Sequence, residues 1–250
     1  MNDFILETTN LTKSFGGLTA INGVNFGLLK GNIHAIIGPN GAGKTTFFNL
    51  VSGYFKPTGG RIHYKGEDIT GLPASEISEK GLLRSFQVAS IYPMLTALEN
   101  IKVVMFSRQA RTYHFFKGAK GLCTEEGCEI LRKVGLLDQR DAVGGKLSHG
   151  DRKRLELGIV IANGPEVVLL DEPTAGMSPD ETRQAIALIE KIALEQGLTI
   201  LFTEHDMSVV FGIARRITVL HQGAVLAEGK PEEVKRNAMV QNVYLGEESI

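Results

Sequence analysis

Within this 250-residue chain, the stretch Gly38-Pro39-Asn40-Gly41-Ala42-Gly43-Lys44-Thr45-Thr46 is the strongest constraint on the fold. It fits the phosphate-binding pattern GxxxxGK(S/T) at every fixed position. Its flanks fit too: Ile33-His34-Ala35-Ile36-Ile37 reads as a short buried strand, and Thr45 to Ser52 as a helix. Glycines let the backbone wrap closely enough for its N–H groups to point at phosphate oxygens. The following helix aims its positive end at the same anion. Lys44 is then placed to reach the β- and γ-phosphates, and the Thr45 hydroxyl to take one position on Mg²⁺. Glycine-rich turns between a strand and a helix are common, but few carry Gly-Lys-Thr at this spacing. The stretch therefore predicts a nucleoside triphosphate site.

The rest of the composition narrows the class. Formal net charge is −1 and 22% of residues are charged, which argues against a large nucleic-acid footprint. No apolar run approaches the ~20 residues needed to span a bilayer. The start, Met1-Asn2-Asp3-Phe4, lacks the basic and apolar regions of a signal peptide, so a cytosolic location is expected. Cys123 and Cys128 are the only cysteines, which leaves neither a disulfide framework nor a four-cysteine zinc site, and both are expected as reduced thiols.

Along the chain, Phe4–Thr9 and Val24–Leu28 alternate as half-buried antiparallel strands do, with a loop expected over Leu11 to Gly17. Phe15, beside two glycines in that loop, is either an ordinary core phenylalanine or a ring stacked on the nucleotide base. Arg61–Tyr64 reads as a strand, Pro73–Glu79 as a short helix opened by proline, and Leu82–Phe86 as a strand ending at Gln87. From Val88 to Asn163 strand signals are absent. Helical spacing covers Thr96–Phe106, with Thr96 and Glu99 as a capping-box pair, then Glu125–Val134 and Arg152–Ala162. Arg108 to Lys120 mixes basic residues with Tyr113, His114, Phe115 and Phe116, either as a membrane-side or partner contact or as a loop burying its own aromatics. Val167–Leu170 is a continuous apolar run, as in a central parallel strand, and ends in Asp171-Glu172. Pro179–Gln196 reads as a long helix and Thr199–Thr203 as another buried strand, ending in Glu204-His205-Asp206. A hairpin around Gln222-Gly223 follows, and then a partly helical tail from Pro231.

Hydrolysis of a γ-phosphate requires phosphates held, a metal held, water oriented and developing charge stabilised. Lys44 and the loop amides supply the first requirement, and Thr45 with Asp171 the second. Glu172, next to the metal carboxylate, is placed to act as general base. His205, at the tip of the next strand, is expected to contact the γ-phosphate or to fix the geometry of the attacking water.

In this order the motifs resemble the nucleotide-binding subunit of an ATP-binding cassette (ABC) transporter over nearly the whole length. Phe15 matches the base-stacking aromatic, Gly38 to Thr46 the Walker A loop and Gln87 the Q-loop residue. Leu147-Ser148-His149-Gly150-Asp151 matches the signature, Leu169-Leu170-Asp171-Glu172 the Walker B motif, Ala175-Gly176-Met177-Ser178-Pro179 the D-loop and His205 the switch histidine. The resemblance implies an α/β fold: a P-loop NTPase core with a mixed, mainly parallel sheet and an antiparallel β-subdomain, carrying an inserted α-helical subdomain. The core would be residues 1–87 and 164–250, and the helical subdomain, with the signature, 88–163. It implies ATP and Mg²⁺ as cofactors, with Gln87 in the Mg²⁺ shell and linked to a transmembrane partner. It further implies a head-to-tail dimer, homo- or heteromeric, in which Ser148 and Gly150 of one subunit close over ATP held by the other. Partners would be integral membrane permease subunits and, indirectly, an extracytoplasmic solute-binding protein, with the chain peripheral on the cytoplasmic face of the membrane.

The chain departs from the usual LSGGQ signature at His149 and Asp151, and from the usual D-loop aspartate at Ser178. The LS-aromatic-G type signature, Ala-Gly-Met-Ser-Pro and the ending Tyr244-Leu245-Gly246-Glu247 resemble importer subunits for branched-chain or neutral amino acids, with urea and amide importers close by. A soluble ABC ATPase acting on ribosomes or nucleic acid is the competing expectation, against which the near-neutral charge and single cassette count. A GTPase or kinase is disfavoured because no NKxD motif is present and a signature has no purpose in a kinase.

Overall fold

A computed structural model of the protein describes residues 4–84, 91–111 and 119–245. The alternating N-terminal segment forms β1 (Phe4–Phe15) and β2 (Leu18–Leu29), paired antiparallel; β1 also pairs with β4 (Gly59–Tyr64), which carries β5 (Glu67–Asp68). The order in this four-stranded sheet is β2-β1-β4-β5. The loop expected over Leu11 to Gly17 is instead strand as far as Phe15, with the turn confined to Gly16-Gly17. Register shifts between Thr8 and Leu11 and between Leu11 and Lys13, with Asn10 at φ 48°, break the two-residue period. A bulged strand does not read as alternating, although it stays paired.

The larger sheet contains β3 (Ile33–Ile37), β6 (Leu82–Arg84), β7 (Val167–Asp171), β8 (Thr199–Thr203), β9 (Arg216–His221) and β10 (Ala224–Gly229), in the order β10-β9-β3-β8-β7-β6. Every neighbouring pair is parallel except the β9–β10 hairpin. This agrees with the expected mixed, mainly parallel core. All five residues of β3 and of β8 are buried, and alternate side chains enter different cores. Val168, Leu170, Ile200 and Phe202 belong to the core with α5 (His149–Ala162), α6 (Pro179–Gln196) and α7 (Met207–Ile213). Val167, Leu169 and Leu201 join α1 (Lys44–Val51) and the inner face of the antiparallel sheet. A strand covered on both faces needs the near-continuous apolar sequence that these strands have.

Between β6 and β7 the long elements among the described residues are helices, α3 (Ala97–Arg111), α4 (Ala119–Lys133) and α5, which follow the short α2 (Ala74–Glu79). The Thr96–Glu99 capping box forms: Glu99 accepts from Thr96 N at 2.8 Å and Thr96 Oγ1 accepts from Glu99 N at 3.2 Å. Helix α5 begins three residues before the expected Arg152 because Ser148 caps it, its Oγ accepting from Asp151 N. The chain ends in α8 (Pro231–Lys235) and α9 (Ala238–Leu245).

His34 lies within β3 with no exposed surface, beside the Phe26 ring, its Nε2 2.8 Å from Thr218 Oγ1. Burial, with the Arg216 charge in support, lowers its pKa to about 3. A depressed histidine pKa means that the unfolded chain takes up the proton first, so stability is complete above pH 6.5 and falls as pH drops toward 3. The slope from this one group is about 1.4 kcal/mol per pH unit in that window. Urea unfolding at pH 7.5 and 5.5 should show that loss in the native chain, and His34→Leu should lose about 1 kcal/mol less between the two pH values.

Candidate active site

The register of the parallel strands brings the site together. Ile36 of β3 lies opposite Thr203 of β8, and Thr203 lies opposite Asp171 of β7. The loop that leaves β3 therefore starts level with the Asp171-Glu172 pair, at the carboxyl ends of the strands, where open α/β sheets place ligands.

Residues 38–43 wrap against the β9–β10 turn. Ala42 O accepts from Gly223 N at 3.0 Å and Asn22 N donates to Gly223 O at 2.8 Å. A Cβ on Gly38 would lie 2.1 Å from the Leu220 carbonyl oxygen, and one on Gly43 (φ 104°) 2.6 Å from Ala20 O. Gly41, at φ 78°, has open space around it. Pro39 O accepts from Ala42 N, and Lys44, 8% exposed, turns its ammonium onto the carbonyls of Gly38 and Pro39. Helix α1 starts at Lys44 with no side-chain cap and no acidic residue in its first turn. Thr45 is exposed there, Thr46 and Asn49 half-buried. A helix N-terminus without its own anion, wrapped by a buried lysine, suits a bound phosphate.

Asp171 is held from both sides. Thr203 Oγ1 donates to its Oδ1 at 2.6 Å, and Arg84 Nη2 to its Oδ2 at 2.6 Å. Arg84 was not singled out by sequence reasoning; a charged residue inside an otherwise apolar strand was the available signal. Glu172 adopts a left-handed φ of 48°, its N–H bonded to Thr203 O at 3.0 Å. That turn sets its Oε1 2.9 Å from His205 Nε2. The carboxylate and the histidine singled out for catalysis thus touch.

Their neighbours at the tip of β8 do other work. Glu204 is buried and accepts from Thr174 N and Oγ1, which ties the loop after β7 to β8. Asp206 caps α7 through Ser208, and those bonds hold its carboxyl below its usual range.

Phe15 lies at the end of β1, 43% exposed, so it is not a core residue; it meets Phe55 edge-on at 5.3 Å, with Lys13 Nζ 4.9 Å from its ring centre. Ser148 and Gly150 sit elsewhere: Ser148 Oγ donates to Asp151 Oδ2 at 2.8 Å, and Gly150 packs on Glu181 at the start of α6. Both line a cleft of about 280 Å³ with Met177 and Leu188. Among the described residues neither is hydrogen-bonded to the 38–46 loop or to Asp171-Glu172. Gln87 and most of the basic aromatic stretch 108–120 lie outside the described residues.

A family model described as ABC transporter matches residues 21–175, and one described as branched-chain amino acid ATP-binding cassette transporter matches residues 224–249. The chain belongs to the ABC transporter family. It is 40% identical to the high-affinity branched-chain amino acid transport ATP-binding protein BraF of Pseudomonas aeruginosa, covering 97% of this chain and 98% of that protein. It is 38% identical to LivG of Escherichia coli K12, described in the same words, covering 99% and 100%. Among solved structures, the ADP conformation of MJ1267, an ATP-binding cassette of an ABC transporter, superposes with a TM-score of 0.86 at 29% identity over 97% of this chain and 99% of that one. A dimeric post-hydrolysis cassette, MJ0796 bound to ADP and Pi, gives 0.76 at 26% identity over 90% and 98%. The cassette is accordingly an ATPase subunit of a transporter, with ATP and Mg²⁺ as cofactors. Among the described residues no helix is long and apolar enough to cross a membrane.

The packing makes a graded prediction. Gly38→Ala drives a Cβ into a backbone oxygen and should cost several kcal/mol, on the order of the largest single-residue effects. Gly41→Ala meets only the left-handed φ penalty of about 1 kcal/mol. Urea unfolding of both variants should rank them in that order, with nucleotide binding lost in the first.

Proposed function

We propose that Lys44 and the amides of residues 38–46 hold the ATP phosphates, that Phe15 stacks on the base, and that Glu172 is the general base oriented by His205. The Glu172–His205 contact of 2.9 Å, level with the phosphate loop, is the observation that carries this reading. Thr45 and Asp171, with Gln87, would hold Mg²⁺, which supplies charge neutralisation at the transferred phosphoryl group. A hydroxyl and one carboxylate are hard oxygen donors, and Mg²⁺ is usually bound by one or two carboxylates together with substrate phosphates. Among the described residues no cluster of three His, Cys, Asp or Glu offers a full protein cage, which suits that mode.

In the chemical step, Glu172 takes a proton from the attacking water at its carboxylate, and His205 fixes that carboxylate's direction. Lys44 and the N-terminus of α1 face the charge that develops on the phosphoryl oxygens. Ser148 and Gly150, at the start of α5 with Gly150 against Glu181, close over the nucleotide of a second cassette; among the described residues neither is bonded to its own phosphate loop, which suits a site completed by a partner. Residues 1–87 and 164–250 act as the ATP-binding core, and 88–163 as the helical subdomain that carries the signature.

The cargo we infer is a branched-chain or other neutral amino acid. This rests on the relatives' printed names and on the model matching residues 224–249. The cassette then works at the cytoplasmic face, under permease subunits that receive solute from an extracytoplasmic binding protein.

Glu172→Gln should lower ATP turnover at least about 10²-fold, the low end for a general base, yet keep ATP and elute as a dimer in its presence. Normal turnover would remove Glu172 from the chemistry. Lys44→Ala should lose nucleotide binding. For the assembly, the tagged chain purified from gently solubilised native membranes should bring down a polytopic permease; recovery of ribosomes instead would overturn the importer reading.

A further inference from the structure

Arg84 closes β6 beside the tip of β7 and is only 6% exposed. A guanidinium taken this far out of water must be compensated in place. Nη2 donates to Asp171 Oδ2 at 2.6 Å, Nη1 donates to Asn49 Oδ1 at 2.5 Å, and the guanidinium carbon lies 5.8 Å from the centre of the Phe48 ring. Thr203 meets the other oxygen of Asp171 from the opposite flank. The strand order β8-β7-β6 explains the symmetry: Asp171 ends the middle strand, and each neighbour supplies one donor to one oxygen. With a donor on each oxygen, the carboxylate cannot rotate without breaking a bond, although each oxygen still has a lone pair to offer.

We propose that Arg84 is a positioning residue for Mg²⁺: together with Thr203 it clamps the Asp171 carboxylate, and through Asn49 it fastens that clamp to the helix that carries Thr45. The inference rests on the reading of Thr45 and Asp171 as metal ligands. Asn49 follows Thr45 by four residues on α1, so the two lie on one helix face. The two protein ligands, on different elements, are thereby held in one frame by a single guanidinium. Mg²⁺ demands near-ideal octahedral geometry and is sensitive to a displaced ligand. A simple counter-ion to Asp171 needs one contact, which lysine would provide. Contacts to two elements at once use the planar, multi-donor geometry that only arginine has.

The test is equilibrium binding of a fluorescent ATP analogue to the full-length chain, in EDTA and across a Mg²⁺ titration, with Mn²⁺ bound in its place read by electron paramagnetic resonance. Arg84→Lys and Arg84→Gln should bind the analogue in EDTA as the native chain does. Both should lose roughly 10–100-fold in metal affinity, the range for residues that orient metal ligands. Asn49→Ala, which leaves the ion pair in place, should shift metal affinity in the same direction by less. Native metal affinity in both Arg84 variants overturns the proposal. So does a raised affinity in Arg84→Gln with native affinity in Arg84→Lys, which is the signature of a counter-ion. If the Arg84 variants melt below the assay temperature, Asn49→Ala decides, and native metal affinity there overturns the clamp. Asp171→Asn separates the levels: unchanged metal affinity in that variant removes Asp171 as a ligand, and the clamp with it.

Discussion

A parallel strand covered on both faces leaves little place for polar side chains until it ends, and the site follows from that restriction. β3, β7 and β8 contribute buried apolar residues to cores on both sides of the sheet, so apart from His34, bonded through Nε2 to Thr218, their ionisable groups collect where the strands stop. Parallel pairing then makes the three endings neighbours rather than opposites. Ile36, Thr203 and Asp171 stand in one row across the sheet, and the phosphate loop, the acidic pair and the Glu204-His205 tip leave from that row. An antiparallel arrangement of the same strands would have sent alternate endings to opposite edges.

At that row the backbone departs from ordinary geometry at one residue, Glu172, whose φ of 48° is uncommon for a residue with a side chain. Such a conformation costs on the order of 1–3 kcal/mol and persists only where surroundings fix it. Here its N–H is bonded to Thr203 O, and Thr174, two residues on, is tied to buried Glu204 through both backbone and hydroxyl. The segment is thus pinned to β8 on each side of the turn. Its consequence is directional: an extended Glu172 would continue the strand, whereas the left-handed one meets His205.

Features carried by local chemistry were legible in the sequence. Strands β3, β7 and β8, helix α6, the hairpin at Gln222-Gly223 and the Thr96–Glu99 box each depend on residues within a few positions of one another. For Glu172 and His205 only the shared end of neighbouring strands was legible; His205 was expected on the γ-phosphate or the attacking water, and its contact with the Glu172 carboxylate comes from the left-handed turn at Glu172. The course of β1 beyond Thr9 was not legible, since a bulge defers to the partner strand rather than to its own pattern. Arg84 was missed for a related reason: its partners, Asn49 and Asp171, are 35 and 87 residues away, and no spacing rule links them.

Two of the three departures from the family's usual motifs, Asp151 and Ser178, become intelligible through helix capping. Ser178, in place of an aspartate, forms a complete capping box with Glu181, and those bonds hold the Glu181 carboxyl below its ordinary range. Asp151, in place of a glutamine, accepts hydrogen bonds at Oδ2 from the Ser148 hydroxyl and from Gln139 Nε2, while its own N–H donates to Ser148 Oγ. Both substitutions stabilise the first turns of α5 and α6, the helices whose starts flank Gly150. The Asp151 bond has a second effect, since a hydroxyl has one proton to donate and Ser148 has already committed it. In the proposed closure over a second cassette's nucleotide, an arriving γ-phosphate would have to draw that hydrogen bond away from a carboxylate. The proposed closure would therefore include a local exchange of hydrogen bonds at the cap of α5, a step that a glutamine, able to donate as well as accept, would not impose in the same form.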